Sequence, residues 1–396
     1  MKSKFGIILI IAVFITNFGI NYTFAKADST SENRNESENI EEITDDILNG
    51  IDTGELEKYL DDLIAPFAKS GGLKGFIKTL IGGETESFQD IASYLGYLLS
   101  YGFKEQLPSF ISLFALILFA SLLKFLKPSD KSGGAGELAD FAIFTAIVCI
   151  VSGVICGTIS KAEKTVDKMA AFTEAIYPIV LSLTVVCGAN NSAANVTPAA
   201  LFVSDTVIIL VKTMIFPTIV FMFVVSVVSN LNKSIKLKSL FAFLSGFMKW
   251  AIGLFTVVFS LFLGLNGLNS ANLDGLGFKT AKYTMGSTIP FVGGVVGDGL
   301  NIMISSAAII KNAFGALAVF IVFSVTIVPV LEIIALTLVL RFIAAITEPF
   351  SDPRIGEFVS CGVAVINFAV AALIAVSFMY LITFVAVIGC TQYLFL

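Results

Sequence analysis

The run AFGALAVFIVFSVTIVPVLEIIALTLVLRFI, residues 313–343, decides the fold class of this chain. Glu332 and Arg341 are its charged residues, and the rest of the segment is almost entirely apolar. A helix of about 20 apolar residues crosses a bilayer, so this segment is long enough to span one. The 396-residue chain is 56% hydrophobic and 14% charged, with a mean hydropathy of +0.90. We therefore predict an all-α, polytopic membrane protein with about six to eight membrane segments.

The segment that leads into this run, TIPFVGGVVGDGLNIMISSAAIIKNAFG (residues 288–315), is rich in glycine and polar residues. Non-helical backbone at membrane depth is tolerated only where it is buried in protein or lines a wet cavity. We therefore predict that residues 288–312 form a re-entrant hairpin rather than a complete span. The centre of the hairpin is either a polar pore lining or hinge, or a Gly-Asp-Gly turn whose aspartate caps the next helix. The residues concerned are Gly297, Asp298, Gly299 and Asn301.

Small residues on either side of this centre indicate close helix packing. Glycine and serine let two helix backbones approach each other in a membrane, within one chain or between copies of it. The candidates for this role are Gly293, Gly294, Ser305 and Ser306.

A second candidate for re-entry is the apolar segment at residues 176–188, which runs into the polar sequence GANNSAANVTP. A span at residues 138–159 and an amphipathic connector at residues 161–172 precede it. Lysine-rich loops lie on the cytoplasmic side, and NLNKSIKLK (residues 230–238) is such a loop. If residues 176–188 crossed completely, this loop would lie outside. We therefore favour a segment that enters and turns back, with complete crossing as the alternative.

Four ionisable residues interrupt the apolar runs. A charge at a helix centre costs about 2.5–3.5 kcal/mol, so each needs a partner or water. One hypothesis pairs Glu332 with Lys249 or Lys212 and so holds spans together, and the other has the charges line a hydrated path. Trp250, the only tryptophan, is predicted to pack inside the bundle. The candidate charge network comprises Asp205, Lys212, Lys249 and Glu332.

The N-terminal region differs from the rest of the chain. Lysines precede the apolar run Phe5–Ile20, and Ala25-Lys26-Ala27 has the small-x-small form of a signal peptidase site. We predict cleavage after Ala27, with an uncleaved anchor as the alternative. The predicted regions are a signal peptide at 1–27, an acidic disordered segment at 28–46, an extracytoplasmic helical region at 47–106 and a polytopic transmembrane domain at 107–396.

The composition argues against several kinds of site. The absence of histidine removes the commonest general base and the commonest transition-metal ligand. The five cysteines lie in or beside apolar runs, where we expect them to be packing residues. GGVVGDG (residues 293–299) lacks the strand and the Lys-Ser/Thr pair of a phosphate-binding loop. We predict no catalytic residue, metal ion or cofactor. The net charge of −11 over residues 28–105 argues against nucleic acid as a partner.

Two segments resemble a known family. IPFVGGVVGDGLNIMISSAAIIKNAFG (residues 289–315) and EPFSDPRIGEF (residues 348–358) are similar to signature sequences of the stage III sporulation protein AE family of endospore-forming bacteria. The order of signal peptide, acidic helical region and multi-span domain is also similar. The resemblance therefore covers essentially the whole mature chain.

The resemblance implies a role in endospore formation. Members of the family are made in the mother cell and lie in the outer membrane around the engulfed forespore. They belong to an assembly of membrane proteins from one operon, which meets a forespore-made protein across the intermembrane space. This assembly resembles a secretion or feeding channel and is required for late forespore gene expression. On this view the chain is a non-enzymatic membrane subunit, and its acidic region lies between the two membranes.

Two other classes of function compete with this one. A self-contained secondary transporter is the alternative, because interrupted segments and membrane charges are typical of transporters. An intramembrane protease would need a pair of aspartates or a Ser/Lys set on facing spans. Asp205 and Asp298 do not lie in a recognisable protease motif.

Overall fold

The computed structural model describes residues 134–190, 193–194, 205–231, 237–262, 293–350 and 353–389, with a few isolated residues between 46 and 115. The regular secondary structure of these ranges is helical throughout, which confirms the predicted all-α fold. A short π-helical stretch, Val211–Ile215, leads into the second helix. The helices are α1 (Gly134–Val186), α2 (Phe216–Leu231), α3 (Lys238–Phe262), α4 (Gly293–Phe350) and α5 (Pro353–Gly389).

The described ranges contain five helical segments that are long and apolar enough to cross a membrane, so the prediction of a multi-span membrane protein is confirmed. The predicted signal peptide with its Ala27 site, the acidic segment and the N-terminal helical region lie almost entirely outside the described residues. The five segments are Phe144–Val186, Asp205–Asn230, Lys238–Phe262, Ile302–Phe342 and Ile355–Val385.

Helix α1 joins segments that the sequence predicts to be separate. The predicted span at 138–159, connector at 161–172 and re-entrant segment at 176–188 belong to one helix of 53 residues, which ends at Val186. The division by a connector is therefore wrong. The connector continues the helix because it has an apolar face, on which Ala162, Val166 and Met169 are fully buried. The chain leaves α1 at Gly188, whose φ of 80° is accessible to glycine without strain.

Helix α4 likewise replaces a predicted turn. It begins at Gly293 and continues for 58 residues, and its backbone is helical through Gly297–Gly299. The predicted hairpin is therefore wrong over residues 293–312. The helix also continues through Pro329, as helices of membrane proteins do when neighbouring groups satisfy the freed carbonyl.

Threonine and serine side chains inside these helices bond to their own backbone. Each donates its hydroxyl hydrogen to the carbonyl oxygen four residues earlier, which satisfies a polar group where water is scarce. Thr326 also hydrogen-bonds Ser377 of α5, at 2.9 Å. Such bonds include those of Thr158, Thr165, Thr173, Thr184, Thr256, Thr326 and Thr383.

Helices α1, α4 and α5 form the centre of the bundle, and their direction follows from pairs of residues in contact. Helix α4 is antiparallel to α1, because later residues of α1 meet earlier residues of α4. Helix α5 is parallel to α1, because Ile155 lies beside Gly362 and the later Phe172 lies against the later Phe384, with ring centroids 6.4 Å apart. The contacts that fix the α1–α4 order are Lys161 with Glu332, Met169 with Thr326, and Cys187 with Ala307.

The side of α4 that faces its neighbours is closely packed. Ile310, Phe314, Leu317, Ala318 and Val322 are fully buried against α1 and α5. Helices α2 and α3 join the same apolar core through residues such as Ile219, Met222, Met248 and Phe259.

Two packing predictions fail. Trp250 is 63% exposed on α3, where its ring lies beside Phe247, so it does not pack inside the bundle. Among the cysteines, Cys187 is buried as predicted, whereas Cys149 and Cys156 are exposed on α1. These two cysteines are therefore surface residues of the bundle.

Candidate functional site: a charged belt across the bundle

The middle of α1 carries the sequence KAEKTVDK, residues 161–168, and its charged face meets two other helices. Lys161 Nζ lies 2.8 Å from Glu332 Oε2 of α4. The Glu332 side chain is 6% exposed, whereas that of Lys161 is 52% exposed. A carboxylate within the bundle is thus neutralised by a lysine that reaches in from the bundle surface. Such charge-assisted hydrogen bonds are among the stronger polar contacts in proteins.

A second ion pair lies about two turns further along α1. Lys212, in the π-helical stretch before α2, pairs with Asp167 Oδ1. Both side chains are partly exposed, so the attraction is weakened by solvent. The π-helical stretch places one extra residue in the turn that carries Lys212.

Further acidic groups lie nearby. Asp205, Glu174 and Asp167 are all within electrostatic range of the Tyr380 hydroxyl of α5. Helices α1 and α4 and the segment before α2 therefore bring charges close together in the bundle. We call the central set the charged belt, and it comprises Lys161, Asp167, Asp205, Lys212 and Glu332.

The structure separates the four charges that the sequence grouped as a network. Asp205, Lys212 and Glu332 belong to the charged belt, but the predicted pairing of Glu332 with Lys249 or Lys212 is wrong. The partner of Glu332 is Lys161, and Lys249 lies elsewhere, on the exposed side of α3.

Sequence reasoning missed Lys161 and Asp167 because their segment was interpreted as a connector between spans. A signal was present in the spacing. Residues 161, 164 and 168 are all lysines and follow the 3–4 residue period of a helix, opposite the apolar series of Ala162, Val166 and Met169. This period fits an amphipathic connector as well as one continuous helix, and the structure shows the continuous helix.

A second polar feature lies near the end of α1. Lys311 of α4 is fully buried, one turn after Ala307 and Ala308, which contact Cys187 and Ala189. Burial raises the pKa of the Cys187 thiol to about 11, and the nearby Lys311 charge opposes that shift. The thiol is therefore protonated, and unreactive, at neutral pH.

The glycine-rich residues of the predicted pore lining form the first turns of α4. The backbone of Gly293, Gly294, Gly297, Asp298, Gly299 and Asn301 is helical, and their roles in a pore or in packing stay predictions. Ser306 is fully buried and Ser305 is half-buried, on the turn that leads to Lys311.

The belt links helices electrostatically, and its chemistry is that of paired charges. Lys161 and Lys212 offset Glu332 and Asp167, which leaves Asp205 as the further acidic group of the belt. Within the part of the chain that the structure describes, no group of three or more Cys, Asp or Glu residues is arranged to hold a metal ion.

Comparisons with known proteins agree with the sequence resemblance. The model of the family "Stage III sporulation protein AE" matches residues 72–391. The stage III sporulation protein AE of Bacillus subtilis (strain 168) is 25% identical over 397 aligned residues, which cover 97% of each chain. No solved structure matches the chain. Because the family match includes all five helical spans and the whole charged belt, the chain belongs to the stage III sporulation protein AE family.

Proposed function

We propose that the protein is a non-enzymatic membrane subunit of the channel or secretion-like complex between mother cell and forespore, and that it supports late forespore gene expression. Family membership supports the sporulation role. The observation that carries the subunit role is the exposed side of α3, which has the features of a contact with another membrane protein.

Small side chains form a stripe along this side of α3. They recur every three or four residues, and no atom lies within 4 Å of a Cβ placed on Gly246 or Gly253. Large apolar side chains flank the stripe, and Phe243 is 69% exposed. Stripes of this kind let a second helix approach closely. The exposed residues of the stripe, with Lys249 at its centre, are Ser239, Ala242, Gly246, Lys249 and Gly253.

Lys249 indicates what this side of α3 meets. It lies 11 residues, or about 17 Å, from Lys238 at the start of the helix, which is close to the middle of a bilayer. A lysine at that depth costs about 2.5–3.5 kcal/mol against lipid. We therefore propose that protein or water covers this side of α3 in the assembled complex.

In this proposal the protein lies in the outer membrane around the forespore, with the acidic N-terminal region in the intermembrane space. Its partners are other membrane proteins of the same operon and a forespore-made protein, and further copies of the chain are candidates for the α3 contact. A self-contained transporter, in which water rather than a partner protein covers Lys249, is the second candidate.

The test replaces both open glycines of α3, Gly246→Leu and Gly253→Leu, in the full-length protein of sporulating cells. We expect normal accumulation of the variant, loss of co-purifying membrane proteins, and a loss of late forespore reporter activity. The matched control is Gly153→Leu with Gly157→Leu on α1, where a Cβ also meets no atom within 4 Å. Retention of the partners and of reporter activity by the α3 variant would refute the subunit contact. Saturable uptake by the purified chain alone in liposomes would favour the transporter.

A further inference from the structure

Helices α1 and α4 are too long for a single bilayer. With a rise of 1.5 Å per residue, their 53 and 58 residues extend about 80 and 87 Å. The hydrocarbon core of a bilayer is about 30 Å thick. The membrane therefore covers only part of this bundle, and the other helices indicate which part.

The shorter helical segments have the length of one bilayer. Asp205–Asn230 and Lys238–Phe262 contain 26 and 25 residues, or about 38 Å each. The ion pair Lys238–Glu357 (2.8 Å) lies where α3 and α5 begin. This is close to the connection between the end of α4 at Phe350 and the start of α5 at Pro353, which we call the corner. The ion pair Lys212–Asp167 lies near the other end of the segment that contains α2. These two pairs mark two levels of the bundle.

The distance between the two levels follows from the parallel packing of α1 and α5. Gly362 lies opposite Ile155, and Phe384 lies opposite Phe172. Glu357 is therefore level with residues 145–150 of α1, which are 17–22 residues before Asp167. This separation corresponds to about 26–33 Å, the thickness of a hydrocarbon core.

Exposed apolar side chains are concentrated between these levels. Beyond the charged belt, the exposed side of α1 instead carries Glu174, Pro178 and Ser182, and large exposed apolar residues are fewer. The exposed large apolar residues between the two levels include Val220, Phe221, Val224, Val228, Phe243, Trp250, Val257, Leu338 and Phe342.

We infer that the bilayer covers only the section between the Lys238–Glu357 pair and the charged belt. The belt then lies at one membrane surface rather than at the membrane centre. A helical projection extends beyond that surface. It consists of residues 169–190, which include the end of α1, residues 293–325 of α4 and residues 377–389 of α5. In α4 the projection, residues 293–325, is about 48 Å long. Lys311 is buried within the projection and does not lie in the lipid.

Among the residues that the structure describes, two charges fall within the covered section. Arg341 is exposed near the corner, and its long side chain reaches the nearer membrane surface. Lys249 lies on the side of α3 that is proposed above to meet another protein. Without that contact, the isolated chain would expose Lys249 to lipid, at the cost given above.

The test uses the full-length protein in lipid nanodiscs, without partners, so it does not depend on the proposed complex. Native cysteines other than the one under test are replaced. The single cysteines are Val185→Cys or the native, exposed Cys156 on α1, and Met303→Cys or Leu338→Cys on α4. The α1 positions are 29 residues apart and the α4 positions 35 residues apart, about 44 and 52 Å, and all four are exposed. We expect a membrane-impermeant maleimide to label positions 185 and 303 nearly completely and positions 156 and 338 not at all. The reverse pattern, or equal labelling within either pair, would overturn the inference.

The single tryptophan provides a measurement that needs no cysteine replacement. Trp250 lies about 18 Å along α3 from Lys238, and its exposed ring should be quenched most by lipids brominated deep in the acyl chain. The variant Trp250→Phe with Val185→Trp moves the probe to the projection, where we expect loss of that quenching. Equal quenching of the two proteins would contradict the placement.

Discussion

Helices α3 and α4 are both apolar and long enough to span a membrane, yet their surroundings differ. Half of the most apolar part of α4 is buried by α1 and α5, against 17% for α3. The glycines of α3 face open space, whereas α4 has a continuous face of fully buried side chains. In a membrane protein, apolar sequence alone therefore does not distinguish a helix that faces its own chain from one that is open to lipid or to another subunit.

The largest expected difference between the two helices concerns a phenylalanine on each. Phe314 of α4 is fully buried and Phe243 of α3 is largely exposed. We expect Phe314→Ala to lower the free energy of unfolding by about 3–5 kcal/mol through the cavity it leaves. Phe243→Ala should change it by less than about 0.5 kcal/mol. Reversible unfolding of the purified proteins in mixed micelles measures both, and equal effects would remove the distinction.

Breaking a buried ion pair should also lower the free energy of unfolding more than breaking an exposed one, but the difference should be smaller than for the two phenylalanines. Glu332→Gln leaves Lys161 without its carboxylate partner, and we expect a loss of about 1.5–3 kcal/mol. Glu357→Gln on α5, whose partner Lys238 is 85% exposed, should lose much less, because solvent screens that pair. The same unfolding measurement applies. If Glu332→Gln were as stable as the parent, the Lys161–Glu332 pair would not hold α1 to α4.

Two glycines of α5 test the packing of the central helices. A Cβ on Gly362 would lie 2.6 Å from Ile155 Cδ1 of α1, whereas a Cβ on Gly356 meets nothing within 4 Å. We expect Gly356→Ala to stabilise the protein by up to about 1 kcal/mol through helix propensity. Gly362→Ala should lose that gain because Ile155 must move. If Gly362→Ala stabilised the protein more than Gly356→Ala, α1 and α5 would be less closely packed than the structure shows.

The smallest effect is a change in reactivity rather than in stability. With Cys187 as the single cysteine, alkylation by a permeant maleimide should increase with pH until about 11, because the thiolate is the reactive form. In the denatured chain the midpoint should return to 9.0. Since the folded-state pKa is raised, this thiol also lowers stability as the pH rises from 9 to 11. A folded-state midpoint near 9 would mean that Cys187 is accessible to water.

The sequence predicts the helical membrane fold well because composition and apolar length are properties of single segments. It also identifies Glu332 and Lys212 as charges that need partners. It does not identify those partners, because Lys161 and Asp167 meet them only through packing between helices. The charges at 161–168 suggested a break between spans, although their helical period allows one continuous helix. For Trp250, hydropathy gave no information on which side of α3 has neighbours.

The Lys161–Glu332 pair also has a consequence for biosynthesis. The two residues are 171 positions apart in the chain, and ribosomes add about 5–20 residues per second. Lys161 is therefore made about 10 to 30 seconds before its partner. A half-exposed lysine can remain hydrated during that interval, whereas Glu332 enters a site in which its countercharge is already present. The order of synthesis thus brings the less accessible charge last, and the insertion of α4 completes the pair.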